Sequence, residues 1–145
     1  MSIALRLALV AFVSLNALAW AYSEDPAKPK LEGQHQIVAG ERNGKPLPDA
    51  QLKGCTFRFT ANKLVGANKD GTEFLVAEFR LDPTHKPCSI VIKPTAGSDK
   101  DREMHGLIER TNTTIRLIYA APGGEKPTEF KTKQNQAMYT LLCAK

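Results

Sequence analysis

Period-two alternation of apolar and polar side chains, in short runs broken by turn residues, limits this chain more than any other feature. In Cys55-Thr56-Phe57-Arg58-Phe59-Thr60 the two phenylalanines share one face of an extended segment, and Thr56, Arg58 and Thr60 take the other. Ile90 and Ile92 repeat the pattern against Ser89, Val91 and Lys93. Ile115, Leu117 and Tyr119 line one side of a further run, and Met138-Tyr139-Thr140-Leu141-Leu142-Cys143 is a mostly apolar strand. Turn chemistry separates the runs: Asn43-Gly44, Lys69-Asp70-Gly71, Thr111-Asn112 and Pro122-Gly123-Gly124, with Asp82-Pro83-Thr84-His85-Lys86-Pro87 as a stiffer break. The spacing predicts eight strands, near 34–42, 55–61, 63–67, 72–81, 88–93, 103–110, 114–120 and 137–143. Only 48–53, with Pro48-Asp49 and Leu52, has the makings of a helical turn.

Eight short strands joined by hairpin-scale connections have two natural closures. A sandwich must guard its edge strands; an up-and-down barrel has none. Consecutive strands here are separated mostly by tight turns, which favours the meander. The expected fold is all-β, an eight-stranded antiparallel up-and-down barrel.

The barrel is expected to occupy 31–145. Residues 7–21 are apolar apart from Ser14 and Asn16, follow a single cation at Arg6, and end in the small-x-small Ala19-Trp20-Ala21. The run falls short of the roughly 20 residues that span a bilayer. It reads as a signal peptide over 1–21, implying a secreted or periplasmic protein with no stable membrane insertion. Residues 22–30, rich in charge and proline, read as a disordered lead-in.

In an exported chain, three cysteines suggest one disulfide and one leftover thiol. In a meander, Cys88 opens the fifth strand and Cys143 closes the eighth, so both sit at the rim where the first strand begins. Cys55 lies at the opposite rim. Cys88–Cys143 is therefore the expected pair, provided the two reach across the rim.

A net charge of +5 is mild, and its cations are scattered without interleaved aromatics, which argues against a nucleic-acid partner. Neither Ser89 nor Ser98 sits in a GxSxG setting, and no histidine is paired with a nucleophile by spacing. Gly123-Gly124 belongs to no phosphate loop. No cysteine belongs to a CxxC, so no metal site, no cofactor and no catalytic residue is assigned. The barrel interior is the better candidate. Phe57, Phe59, Phe79 (or Phe74), Ile90, Ile92, Leu117, Tyr119 and Leu142 could line a cavity for a small apolar molecule or simply fill the interior. The longest connection offers a second candidate surface. Its Pro122, Gly123, Gly124, Glu125, Lys126 and Glu129 could form a rim for a ligand or an extracytoplasmic protein, or the segment could fold back with Phe130 covering a barrel end. The two resulting function classes are a non-catalytic small-ligand binder and an interaction or inhibitor module.

Leu31-Glu32-Gly33, Gly40-Glu41-Arg42-Asn43-Gly44-Lys45-Pro46-Leu47-Pro48 and Leu52-Lys53-Gly54 resemble a family of small, mostly secreted bacterial proteins of unknown function. That family is numerous in planctomycetes and described as lipocalin-like. The resemblance continues through Phe79-Arg80-Leu81-Asp82-Pro83, Lys86-Pro87, Ile90 and Pro94. It resumes at Gly106, at Tyr119-Ala120 with Pro122-Gly123-Gly124-Glu125, and at Pro127-Thr128-Glu129-Phe130. It implies a lipocalin-like barrel behind an export signal and brings no catalytic residues with it. The family tends to open its first strand with Gly-x-Trp, whose indole plugs one barrel end. This chain has Gly33-Gln34-His35, so another ring must serve or the plug is weaker. The cysteines at 55 and 88 are also departures from the family.

Overall fold

A computed structural model describes residues 28–144, so the expected signal segment and most of the lead-in lie outside the described residues. The chain forms β1 (Gly33–Arg42), β2 (Lys45–Pro46), α1 (Asp49–Leu52), β3 (Thr56–Thr60), β4 (Lys63–Ala67) and β5 (Glu73–Asp82). It continues with β6 (Cys88–Pro94), β7 (Met104–Thr111), β8 (Thr114–Ala120) and β9 (Gln136–Leu142). Each strand from β3 onward pairs antiparallel with the next, and β1 pairs with both β3 and β9. The sheet thus closes into the expected eight-stranded barrel of lipocalin-like form. The two-residue β2 is an appendage, folded back on the end of β1 by the Asn43-Gly44 turn, where both residues take positive φ.

The two rims differ. At one, β3–β4 and β7–β8 meet through tight hairpins, and β5–β6 through an 83–87 turn pinned by the Asp82 carboxylate. That carboxylate accepts from the Thr84 hydroxyl and backbone N–H, which holds its pKa below the ordinary value. The other rim carries α1, the 95–103 connection and the long 121–135 excursion.

Inward side chains fill the hairpin end completely. Phe57, Phe59, Leu64, Ile90, Ile92, Ile108, Ile115, Leu117 and Leu141 are all buried to 1% exposure or less. Phe59 meets Phe79 edge-to-face at 5.5 Å, a favoured aromatic geometry. Below them His35 occupies the place where the resemblance expects an indole. Its ring is 2% exposed and lies 6.1 Å from that of Phe59. Its Nε2 bonds the Leu31 carbonyl at 2.6 Å and its Nδ1 accepts from the Ala144 N–H at 3.4 Å. Those two contacts specify the Nε2–H tautomer. Leu31, itself buried, completes the plug.

Two bulges break the alternation. In β1 the register shifts between Ile37 and Ala39, so His35 and Ile37 point inward below the shift, and Gly40 and Arg42 point inward above it. In β5 the shift opposite Gly66 and Ala67 lets Phe74 lean into the barrel although Phe79, five positions on, is also inside. Gly106 is required by close approach: a Cβ there would lie 2.0 Å from the Ile118 carbonyl oxygen on β8.

The expected disulfide is absent: Cys55, Cys88 and Cys143 are all free thiols. Cys88 and Cys143 do share the hairpin rim, as the topology requires. However, β7 and β8 stand between their strands. At about 4.8 Å per strand step, three steps of wall separate them, well beyond the ~7 Å within which bonded Cα atoms must lie. Both thiols pack against the core instead, and burial pushes the Cys88 pKa up.

Candidate functional site

The size of the inward side chains changes along the strands. The hairpin half receives large residues from every strand. Toward the loop-bearing rim the inward positions become Gly40, Gly66, Ala77, Gly106 and Ala137. Leu47 and Leu52 take up the space over Gly40 and Phe74 that over Gly66, and beside them a cleft of about 600 Å³ opens at this rim. Its wall includes Phe74, Leu75, Val76, Pro94, Met104, Tyr119, Ala137 and Tyr139, and its lip includes Asn43, Glu73, Ser98, Asp99, Asn135 and Gln136. A second recess of about 220 Å³ lies on the other side of Arg42, Phe74 and Tyr139, which line both spaces. Ile37, Leu47, Gln51, Leu52, Cys55 and Asn68 complete it. Leu47 and Leu52 reach over Gly40, where a Cβ would come within 3.0 and 3.3 Å of them, so α1 and its flanks roof this side of the mouth.

The polar groups of the cleft form a chain. Arg42, brought inward by the β1 bulge, donates from its guanidinium to the Tyr139 hydroxyl at 2.9 Å. Tyr139 lies one inward position deeper, its ring 6.4 Å from that of Tyr119. Burial raises the Tyr119 phenol pKa well above its ordinary value, and the adjoining Tyr139 pushes in the same direction. The Tyr119 phenol is thus an uncharged hydrogen-bonding group at neutral pH, and Arg42 supplies the cation. Glu73 and Asp99 stand on the far lip, where Asp99 pairs with Arg102 at 3.4 Å.

Of the residues expected to line a cavity, Tyr119 does so. Phe57, Phe59, Ile90, Ile92 and Leu117 are inward but belong to the packed half. Phe79 is inward and packs on Phe59; Leu142 faces out and is 44% exposed, with Leu141 taking the interior position. The continuous apolar run 138–143 hid which of the two adjacent leucines was inside. Phe74, the alternative to Phe79, does line the cleft, whereas Arg42, Met104 and Tyr139 escaped the sequence reading as cleft residues, Arg42 because a bulge invisible to a strict alternation sets its direction.

The 121–135 excursion folds back, though onto the outer wall and not over a barrel end. Phe130 lies beneath the Arg116 guanidinium at 4.3 Å from the ring centroid, and Arg116 also bonds Glu109 on β7. Pro127 is buried. Gln136 donates to the Glu125 carbonyl at 2.7 Å, and Lys133 pairs with the Glu125 carboxylate at 3.3 Å. Buried Thr132 bonds Glu41 through its hydroxyl and N–H at 2.6 and 2.9 Å, and those bonds lower the Glu41 pKa. Pro122, Gly123, Gly124, Lys126 and Glu129 ride on this strap, and none of them lines the cleft.

Among the described residues no group of three or more His, Cys, Asp or Glu side chains is placed to hold a metal ion. None of the described helices is long and apolar enough to cross a membrane. No family profile, curated protein or solved structure matches the chain. The lipocalin-like architecture is carried by strand order and closure alone, a barrel with room to enclose a ligand.

Proposed function

We propose that this chain is an exported, non-catalytic binding protein that holds a small, largely apolar molecule in the open half of its barrel. The observation that carries the reading is the 600 Å³ cleft, which falls within the roughly 300–1,000 Å³ of small-molecule sites and combines an apolar wall with a few convergent polar groups. The packed hairpin half supports the reading by giving the cleft a rigid floor. Export rests on the character of residues 1–21 and on the resemblance to a secreted lipocalin-like family.

The alternative, recognition of an extracytoplasmic protein through the 122–130 segment, has less in its favour, because that segment is strapped to the wall by Phe130, Glu125 and Thr132.

Native mass spectrometry of the protein purified from its own host's extracytoplasmic fraction tests the proposal. A stoichiometric extra mass of a few hundred daltons that disappears on denaturation is the expected result. A bare mass under conditions that preserve the fold, together with failure to bind apolar probes, would overturn it in favour of surface recognition.

A further inference from the structure

We infer that the cleft selects an anionic amphiphile, a small carboxylate on an apolar body, with the carboxylate held by Arg42. This assignment rests on the ligand-cleft reading above and adds the chemical class of the ligand. Arg42 is turned into the mouth by a bulge that costs β1 a regular ladder position, and it lines both the large cleft and the smaller recess. A guanidinium carries five N–H donors in a fixed fork, suited to two-point recognition of a carboxylate. Among the described residues its side-chain bond goes to the Tyr139 hydroxyl, and no carboxylate lies within ion-pair distance of it. Arg80, Arg102 and Arg116, all on the outside or in loops, each have an acidic partner, and Arg58 and Arg110, which have none among the described residues, do not line the cleft.

Tyr139 uses its oxygen to accept from Arg42 and so fixes the guanidinium, which leaves the other donors available to a ligand. Beyond the charge the wall is apolar, with Leu75, Val76, Pro94, Met104 and Ala137 available to a hydrocarbon or aromatic body. Glu73 and Asp99 on the far lip disfavour a second negative charge, so the fitting ligand is a monoanion with its other end uncharged.

Isothermal titration calorimetry with octanoate and with octan-1-ol, which share a chain and differ in charge, tests the assignment at neutral pH. The expected result is at least tenfold tighter binding of octanoate by the unaltered protein. Arg42→Met should abolish that preference, Arg42→Lys should keep part of it, and Arg58→Met, on the outer face of β3, should keep all of it. Thermal melts of each variant establish that the barrel is intact. Equal affinity for the two probes, or a preference that survives Arg42→Met, would overturn the anion assignment and leave the cleft reading standing. Absence of binding by either probe would overturn both.

Discussion

Phe57 and Phe74 form one aromatic contact, 5.6 Å between centroids at 73°, yet they stand on opposite sides of the boundary between the packed and the open half. Truncating each to alanine measures whether that boundary is real. Phe57 has no exposed surface and also meets Tyr139 edge-to-face at 5.2 Å, so Phe57→Ala leaves a closed cavity and removes two aromatic pairs. Such changes cost ~3–5 kcal/mol. Phe74 is 40% exposed. With full burial of a phenylalanine worth ~1.5–3 kcal/mol, its buried portion accounts for only ~1–2 kcal/mol. Little cavity term is added, because the space joins a cleft that is already open. Urea unfolding with unchanged m-values should therefore place Phe57→Ala about 2 kcal/mol below Phe74→Ala. Phe74→Ala should also merge the two recesses and admit a bulkier ligand. Equal losses for the two variants, or a loss under ~1.5 kcal/mol for Phe57→Ala, would refute the division into halves.

Glu41 gives a pH signature. Its folded pKa is depressed below the ordinary 4.5 by the Thr132 hydroxyl, so the contact stabilises above that value and fades as pH falls through the folded one. Because Glu41 is only partly buried, Glu41→Gln should cost no more than ~1 kcal/mol at pH 7, with a gap to wild type that closes as the pH falls below 4.5. Thiol titration of the denatured protein should count three free cysteines, and its intact mass should not change on reduction; a gain of two hydrogens on reduction would contradict the structure. Gly106→Ala should prevent normal closure between β7 and β8, and a native-like melt for that variant would show that the two backbones can separate at little cost.

The strands were legible because both faces of each have different fates: Phe57 and Phe59 must hide while Arg58 must not. The observed bounds lie within one residue of those expected. Closure followed from connection lengths. What the residues did not disclose was where the alternation slips. Strict parity from His35 and Ile37 would turn Glu41 inward and Arg42 out; the bulge reverses them, and with them the character of the mouth. The same slip in β5 admits both Phe74 and Phe79 where parity allows one. The cleft was hidden for a different reason. Much of its lining comes from the connections, Asn43, Ala96, Ser98, Asp99, Ala121 and Asn135, whereas a search for large inward strand side chains selects the packed half instead. The cysteine pairing failed on distance: sharing a rim is a topological property, whereas bonding depends on how many strands intervene.

His35 ties Leu31 to Ala144, so both ends of the domain leave from the hairpin rim while the cleft opens at the other. A tether, fusion partner or surface attachment at either end therefore points the mouth away from whatever holds the protein. Immobilisation through the C-terminus should leave ligand capacity intact, and joining the two ends while opening the chain at the 95–103 connection would place new termini beside the cleft, where an appended segment could act as a lid.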